Sequence, residues 1–280
     1  MTVSFIDTDG GKLAVEVEGE GPLIVCSPGL GDTRDAYAPV AAQLVASGFR
    51  VARVDLRGHG DSSARFNRYG DEATADDFLT VIGELGGGPA VLAGASMSAA
   101  AAVIAAGRHP DNVAGLVLLG PFLRNGVGSV MRCVLYAAFL RPWGPLFWRT
   151  YAAKMWPGLG DKAGERAAHS TELLTRPGRW EAFHASSAAD HSVVAPWIGQ
   201  VKAPVLVVIG DADPDWNDPL AEAEWVASNF SDVEKIEVHG AGHAPMFEKP
   251  DVVGPAFVQF AEKIRAGGAF KAANAPSGAS

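Results

Sequence analysis

The sequence predicts an α/β fold: a mostly parallel, eight-stranded sheet flanked by helices, with a helical segment inserted into it. Near-continuous apolar runs, such as LIVC at 23–26 and VAGLVLL at 113–119, are typical of strands covered on both faces. In the first 121 residues these runs alternate with helical stretches, and the same rhythm returns from residue 203. Between 122 and 196 no strand-like run occurs, so this segment is predicted to form a helical cap on the α/β core.

The predicted elements follow one another in a regular order along the chain. Strands are expected at 3–7, 12–18, 22–27, 50–55, 89–94, 113–119, 203–210 and 233–240. Core helices are expected at 36–47, 74–86, 97–108, 218–229 and 250–266. Short cap helices are expected to break at Pro142, Gly144, Pro157–Gly158, Pro177–Gly178 and Pro196. The core is therefore expected to comprise 1–121 and 197–266, and the tail 267–280, rich in small residues, is expected to be disordered.

Composition excludes some classes of partner. The 280 residues carry a formal net charge of −9, which argues against nucleic acid as a partner and weakly disfavours adsorption to anionic membranes. Cys26 and Cys133 are far apart and are expected to be two buried free thiols. The uncharged stretch 90–107 is rich in Ala, Gly and Ser and fits a buried strand and helix better than a membrane span. With an acidic N-terminus that lacks a signal peptide pattern, these features predict a cytoplasmic protein without membrane insertion.

The strongest chemical signal is Gly94-Ala95-Ser96-Met97-Ser98, which lies between a predicted strand and a predicted helix. A serine on such a tight turn has its hydroxyl raised above the sheet, and the crowded turn requires small residues two positions before and after it. The segment resembles the nucleophile elbow of α/β-hydrolases, G-x-S-x-G, with Ser98 in place of the second glycine. The resemblance implies the α/β-hydrolase fold, with Ser96 as nucleophile.

A serine nucleophile needs a neighbouring base, and the sequence offers His243 in the segment HGAGHAPMFEKP. This segment follows the last predicted strand and resembles the histidine loop of the same family, G-x-G-H-x-x-x-x-E-x-P. The flexible glycines of such a loop let the imidazole approach the serine. The resemblance therefore implies that His243 is the general base.

The acid that orients the imidazole is expected in VVIGDADPDW, directly after a buried strand. The family pattern at this point favours Asp213, and Asp211 and Asp215 remain alternatives. The resulting chain order, Ser then Asp then His, is the order expected of this fold.

Acyl transfer also needs donors for the developing oxyanion. The backbone N–H groups of Met97, after the nucleophile, and of Leu30, in the loop SPGLGD at 27–32, are the candidates. In this loop the family usually has histidine where the chain has Pro28. The segment DLRGHGDS at 55–62 also resembles the family and is interpreted as structural, with Arg57 and Asp61 expected to pair locally.

These motifs predict a serine hydrolase that cleaves a small-to-medium apolar carboxylic ester, with a small molecule as substrate. The alternatives are a carbon–carbon hydrolase of the meta-cleavage-product type, in which a cap arginine (Arg124, Arg132, Arg141 or Arg149) binds a carboxylate, and a ligand receptor that retains the triad. Epoxide hydrolase chemistry is excluded because it needs an aspartate at the elbow. No metal and no organic cofactor is expected, since no metal-ligand spacing or phosphate loop occurs. The cap residues expected to line the substrate pocket are Phe122, Trp143, Phe147, Trp148 and Met155.

Overall fold

The computed structural model describes residues 3–86 and 88–270. All eight predicted strands are present within one or two residues of their expected bounds. They are β1 (Val3–Thr8), β2 (Gly11–Glu18), β3 (Leu23–Ser27), β4 (Arg50–Val54), β5 (Ala90–Ala95), β6 (Val113–Leu119), β7 (Val205–Gly210) and β8 (Val233–Val238). The helices are α1 (Ala38–Ala46), α2 (Asp71–Glu84), α3 (Met97–Arg108), α4 (Ser129–Ala138), α5 (Gly144–Met155), α6 (Ala163–Thr175), α7 (Arg179–Ser186), α8 (Ala195–Ile198), α9 (Pro219–Ala227), α10 (Pro245–Glu248) and α11 (Pro250–Ala266).

The strands form one sheet in the order β1-β2-β4-β3-β5-β6-β7-β8. Only the pairings of β1 with β2 and of β2 with β4 are antiparallel, so the predicted mostly parallel, eight-stranded sheet is confirmed. The strand order reverses between β3 and β5. In open α/β sheets, ligands bind outside the carboxyl ends of the strands at such a reversal. A ligand site is therefore expected at the loops that follow β3 and β5.

The sheet is covered on both faces, as its continuous apolar strands predict. One face packs against α1 and α11, with Leu44 and Phe257 fully buried among their neighbours. The opposite face packs against α2, α3 and α9, with Val81 and Ile104 fully buried there. Every residue of β5, β6 and β7 is buried, so the loops at their ends are carried by a rigid base.

Between the end of β6 and the start of β7 the structure contains helices α4 to α8 and short 3-10 turns. This segment corresponds to the predicted helical cap. Cys26 is buried as expected, but the expected burial of Cys133 is wrong. Cys133 lies on α4, and no residue of this helix is buried.

The predicted tail begins at Gly267, directly after α11. Residues 271–280 lie outside the described part of the chain. Within the described part, the Phe270 ring lies 6.2 Å from the Phe49 ring, so the first residues of the tail pack against the core. None of the described helices is both long and apolar enough to cross a membrane.

Candidate active site

Ser96 occupies a tight turn between β5 and α3. Its φ of 56° and ψ of −121° make it the one non-glycine residue with positive φ in the described part of the chain. Such a conformation costs about 1–3 kcal/mol and persists only where the surrounding structure enforces it. The turn is crowded, because a Cβ at Gly94 would overlap the carbonyl oxygen of Ser98. The strain, the crowding and the position at the positive end of a helix are the features of a nucleophile elbow.

The Ser98 side chain joins this turn to the loop after β3. Its hydroxyl donates to the Pro28 carbonyl oxygen at 2.6 Å and accepts from the Ser27 hydroxyl at 3.0 Å. The sequence pattern required only a small residue at position 98. Local sequence does not reveal these hydrogen bonds, because their partners lie about 70 positions earlier in the chain. Ser98 therefore fixes the loop relative to the elbow.

The two predicted oxyanion donors flank the elbow. Met97 is the first residue of α3, so its N–H has no acceptor within the helix. Within residues 3–86 and 88–270, neither the Leu30 nor the Met97 N–H donates a backbone hydrogen bond. Gly29 brings the loop close, since a Cβ there would lie 2.9 Å from the Ser96 Cβ. Among the described residues neither N–H is therefore occupied by a backbone acceptor, and their role as donors to a ligand oxygen beside Ser96 stays a prediction.

Gly31, the next residue of this loop, is held from two sides. Its N–H donates to His59 Nε2 at 3.1 Å, and His59 Nδ1 in turn donates to the Arg57 carbonyl oxygen at 2.9 Å. Burial lowers the pKa of His59 to about 4, so the ring is neutral and can accept this bond. The Gly31 carbonyl oxygen accepts from the Ser170 hydroxyl of the cap, which itself accepts from the Trp148 indole N–H at 3.0 Å. His59 thus braces the loop from the core, while Ser170 braces it from the cap.

The expected local pair of Arg57 with Asp61 is wrong. Arg57 pairs with Asp77 of α2 at 2.7 Å, and Asp61 pairs with Arg34 at 2.8 Å. The physical reason is burial: Arg57 is enclosed and needs an equally enclosed carboxylate, which Asp77 provides and the half-exposed Asp61 does not. The turn is instead organised around Asp55, whose carboxylate accepts the backbone N–H groups of Arg34 and Asp61.

The imidazole of His243 lies beside a carboxylate from the loop after β7. His243 Nδ1 is 2.8 Å from Asp213 Oδ2, and the Asp213 side chain is fully buried. The Asp215 carboxylate also approaches Nδ1, at 3.4 Å. Asp211 lies elsewhere, since its carboxylate contacts His239 Nδ1 at 2.6 Å. Of the three aspartates that the sequence left open, Asp213 has the contact that orients the ring.

The two carboxylates change the acidity of the ring. Burial by itself lowers the pKa of His243, but the negative charges of Asp213 and Asp215 outweigh it and raise the pKa to about 9. Burial raises the pKa of Asp215, and the nearby Asp213 adds to this effect. The Tyr151 hydroxyl, from cap helix α5, donates to Asp215 and supports its ionised form. Sequence reasoning kept Asp215 only as a substitute for Asp213, whereas the structure brings both to the same ring.

Asp213, Asp215 and His243 also place three potential metal ligand atoms within 4.8 Å of one another. Each ligand group already has a protein partner, because His243 bonds Asp213 and Tyr151 bonds Asp215. The absence of a metal and of an organic cofactor stays a prediction.

The histidine loop is fastened to the cap. The Glu248 carboxylate accepts the N–H of Gly242 at 2.9 Å and the N–H of Gly158 in the cap at 2.7 Å. The backbone N–H of His243 donates to the Met155 carbonyl oxygen at the end of α5, at 2.8 Å. Glu248 was recognised in the sequence only as part of a pattern. Its contacts show that it holds the loop that carries the imidazole.

Ser96 and His243 share a neighbour at the carboxyl edge of the sheet. The Phe122 N–H donates to the Ser96 carbonyl oxygen at 3.4 Å, and the Phe122 ring lies 5.7 Å from the His243 ring. Among the side-chain hydrogen bonds of the described residues, none joins the Ser96 hydroxyl to the His243 ring. Such bonds are often long in free enzymes and tighten when substrate binds. The direct contact between Ser96 and His243 therefore stays a prediction.

A narrow cavity opens beside the His243 ring. Its lining comes from the loop 27–32, from β5, from the cap and from the loop that carries His243. The lining residues are Gly29, Leu30, Asp32, Ala95, Trp148, Met155, Trp156, His243, Ala244 and Met246. In this conformation it has room for about one or two water-sized spheres. Of the predicted pocket residues, Trp148 and Met155 line the cavity, and Phe122 contacts His243 without lining it. Trp143 is exposed and Phe147 packs against Phe139 and Tyr151, so the structure does not bring these two to the cavity.

Comparisons with known proteins identify the family and the fold. A family model described as alpha/beta hydrolase fold matches residues 22–250. The chain is 26% identical to a 2-(acetamidomethylene)succinate hydrolase of Mesorhizobium japonicum, over 90% of this chain and 93% of that protein. It is 30% identical to a pimeloyl-[acyl-carrier protein] methyl ester esterase of Chromobacterium violaceum, over 84% and 92% of the two chains. Among solved structures, it resembles a thermophilic esterase from Thermogutta terrifontis with a TM-score of 0.80 and 24% identity, covering 94% of this chain and 99% of that one.

Proposed function

Because the chain belongs to the α/β-hydrolase fold family, we propose that it is a serine hydrolase that cleaves a small-to-medium apolar carboxylic ester. In this proposal Ser96 is the nucleophile, His243 the general base and Asp213 the acid that orients the base. The observation that carries the proposal is the strained Ser96 turn at the same edge of the sheet as the 2.8 Å contact between His243 and Asp213.

The first half of the reaction forms an acyl-enzyme. Asp213 holds the Nδ1–H of His243, which leaves Nε2 free to take the Ser96 proton. The Ser96 oxygen attacks the ester carbonyl carbon, and the carbonyl oxygen becomes an oxyanion that accepts from the N–H groups of Leu30 and Met97. The imidazolium then gives its proton to the leaving alkoxide, the carbon–oxygen bond breaks, and the alcohol departs.

The second half returns the enzyme to its starting state. His243 takes a proton from a water molecule, whose oxygen attacks the acyl carbon through a second oxyanion. The bond to Ser96 breaks, the imidazolium returns its proton to the serine oxygen, and the carboxylic acid leaves. The raised pKa of His243 indicates that the two carboxylates stabilise the imidazolium that both halves require.

Two observations support ester cleavage over carbon–carbon cleavage. The cavity lining contains none of the four arginines considered for binding a substrate carboxylate, Arg124, Arg132, Arg141 and Arg149. Arg124 is paired with Glu222, and Arg132 lies 3.4 Å from Asp190, so both are engaged elsewhere. In addition, one of the relatives covering most of the chain is named as a methyl ester esterase.

The test is a substrate panel on the wild-type protein and on Ser96→Ala. The panel contains short and long p-nitrophenyl esters, a lactone and a meta-cleavage dienoate. We expect turnover of short esters by the wild type and a loss of several orders of magnitude in Ser96→Ala, with unchanged circular dichroism. Ester turnover that survives in Ser96→Ala would refute the covalent mechanism.

Two further results would select an alternative. Bleaching of the dienoate without ester turnover would favour the carbon–carbon hydrolase. Labelling of Ser96 by a fluorophosphonate without turnover of any substrate would favour the ligand receptor.

A further inference from the structure

The exposed apolar side chains of this protein are concentrated in one place. The large hydrophobic residues that are exposed in the described part of the chain number ten. Eight of them lie between 127 and 146: Val127, Val130, Met131, Val134, Tyr136, Leu140, Trp143 and Leu146. The other two, Phe5 and Val252, lie on β1 and α11 of the core. Single exposed apolar residues are normal on a protein surface, but a cluster of this kind marks an interaction site.

Seven of these eight residues lie on helices α4 and α5 and the turn that joins them, a stretch that we call the cap hairpin (129–155), and Val127 lies just before it. The Trp143 indole N–H donates to the Ala137 carbonyl oxygen at 3.2 Å, so the turn lies against the end of α4. No residue of α4 is buried, although its sequence, SVMRCVLYAA, is mostly apolar. Helix α5 differs, because it buries Trp148 and Met155 toward the cavity while Leu146 is largely exposed.

The charge of this region is opposite to that of the whole protein. Between 122 and 160 there are five basic residues, Arg124, Arg132, Arg141, Arg149 and Lys154, and no acidic residue. Since the whole chain carries −9, the rest of it carries −14 (−9 minus +5). Three of these cations are paired with carboxylates from outside this stretch: Arg124 with Glu222, Arg132 with Asp190 at 3.4 Å and Arg141 with Glu181 at 3.9 Å. Within the described residues no carboxylate lies within salt-bridge distance of Arg149 or Lys154, which are exposed on α5, so these two are the unpaired cations of the surface.

We propose that the cap hairpin docks on the surface of a bilayer that contains anionic phospholipids. Apolar side chains with flanking cations and an exposed tryptophan are the composition of helices that lie in a membrane interface. The local charge, not the net charge, governs this contact, because electrostatic attraction fades within a Debye length of about 8–10 Å. The net charge of the whole chain weakly disfavours adsorption to anionic membranes, and that expectation stays a prediction which the vesicle experiment below tests for this surface.

A second copy of the chain fits this surface less well. In a two-fold symmetric dimer the same patch meets itself. The unpaired cations of one cap hairpin, Arg149 and Lys154, would then face those of the other, and residues 122–160 contain no acidic residue to neutralise them. An anionic lipid surface satisfies both the charge and the apolar side chains.

The test is co-sedimentation of the full chain with two kinds of vesicle. One kind contains phosphatidylcholine and phosphatidylglycerol in equal parts, and the other contains phosphatidylcholine alone. We expect the wild type to sediment with the anionic vesicles and to be released by high salt. Leu146→Glu and Val130→Glu should each lower the affinity at least tenfold, and Arg149→Gln and Lys154→Gln about fivefold each.

The matched control is Val252→Glu, which places the same charge on an exposed valine of α11, outside the hairpin. It should bind vesicles like the wild type. All these positions are exposed, so thermal melts should be nearly unchanged.

Equal sedimentation of Leu146→Glu and Val252→Glu would overturn the proposal, as would equal binding to both kinds of vesicle. A wild-type dimer in sedimentation equilibrium that Val130→Glu dissociates would also overturn it, because a second copy would then cover the face. None of these measurements depends on hydrolytic activity.

Discussion

The strands of the core and helix α4 of the cap hairpin are similarly rich in apolar residues, but their surroundings are opposite. In β5, β6 and β7 every residue is buried, whereas in α4 none is. Each of these strands has a neighbouring strand on both sides and helices on both faces of the sheet. The apolar side chains of α4 remain partly or largely exposed, although the Tyr136 ring stacks on His184 of α7. A largely apolar segment is therefore expected to contact other apolar groups, but its composition does not show whether the chain itself supplies them.

The largest difference between the core and the cap hairpin should appear in kcat when residues of each are substituted. His243→Ala and Asp213→Asn, both in loops of the core, should lower kcat by about 10⁴-fold or more, since each disables the base that activates Ser96. Leu146→Ala in the hairpin should leave kcat for a water-soluble ester near the wild-type value. Steady-state kinetics with p-nitrophenyl acetate measures all three.

The matched control is Asp211→Asn, because the Asp211 carboxylate contacts His239 and not the His243 ring. It should retain activity close to that of the wild type. A larger loss in Asp211→Asn than in Asp213→Asn would show that the acid is assigned to the wrong residue.

The second largest difference between the core strands and helix α4 should appear in the free energy of unfolding. Leu118→Ala removes a fully buried side chain from β6 and should lower the free energy of unfolding by about 2–5 kcal/mol. Val134→Ala removes an exposed side chain from α4 and should change it by less than about 0.5 kcal/mol. Urea denaturation followed by circular dichroism measures both. Similar losses would mean that α4 packs against the protein in solution.

The smallest effect, a shift in the pH dependence of kcat/KM, is expected at the contact between Tyr151 of the cap and Asp215 of the core. A base must be deprotonated to act, so kcat/KM of the wild type should rise with pH until His243 loses its proton near pH 9. Asp215→Asn removes a negative charge that stabilises the imidazolium, and should move this rise toward lower pH by about one unit. Tyr151→Phe should move it in the same direction by less, because the carboxylate of Asp215 loses a donor and ionises less readily.

In the same pH profiles, Glu248 also favours the charged ring, but it is unchanged in both variants. A shift of the Asp215→Asn profile toward higher pH would contradict this account of the ring's charge. An unshifted profile with lower kcat would assign Asp215 a purely structural role.

Sequence alone was sufficient to predict the sheet, and it also predicted catalytic residues at one edge of it, whose roles stay predictions. The continuous apolar runs predicted eight strands because burial on both faces leaves that pattern. Ser96, His243 and Asp213 were predicted because the segments around them resemble α/β-hydrolase motifs. Each follows a strand of a parallel sheet, and such positions share one edge. The structure brings His243 and Asp213 together as expected.

The remaining contacts could not be predicted because they join segments that are far apart in the chain. His59 supports Gly31 across 28 positions, and Ser170 reaches the same residue across 139. The partner of Arg57 was misidentified because the nearest carboxylate in sequence was preferred to the one enclosed with it. Trp143 was expected in the pocket because an aromatic residue looks the same in sequence whether it faces a cavity or solvent.

The position of Gly31 has a consequence for any movement of α6. The Gly31 N–H is bonded to His59 of the core, and the Gly31 carbonyl oxygen is bonded to Ser170 of α6. The loop 27–32 is therefore held by both the core and the cap. A movement of α6 away from the core must either break the bond between Ser170 and Gly31 or carry the loop away from Ser96. While the bond to Ser170 holds, the Leu30 N–H proposed as an oxyanion donor moves together with α6, so the arrangement proposed for ester cleavage exists only with α6 in its present position.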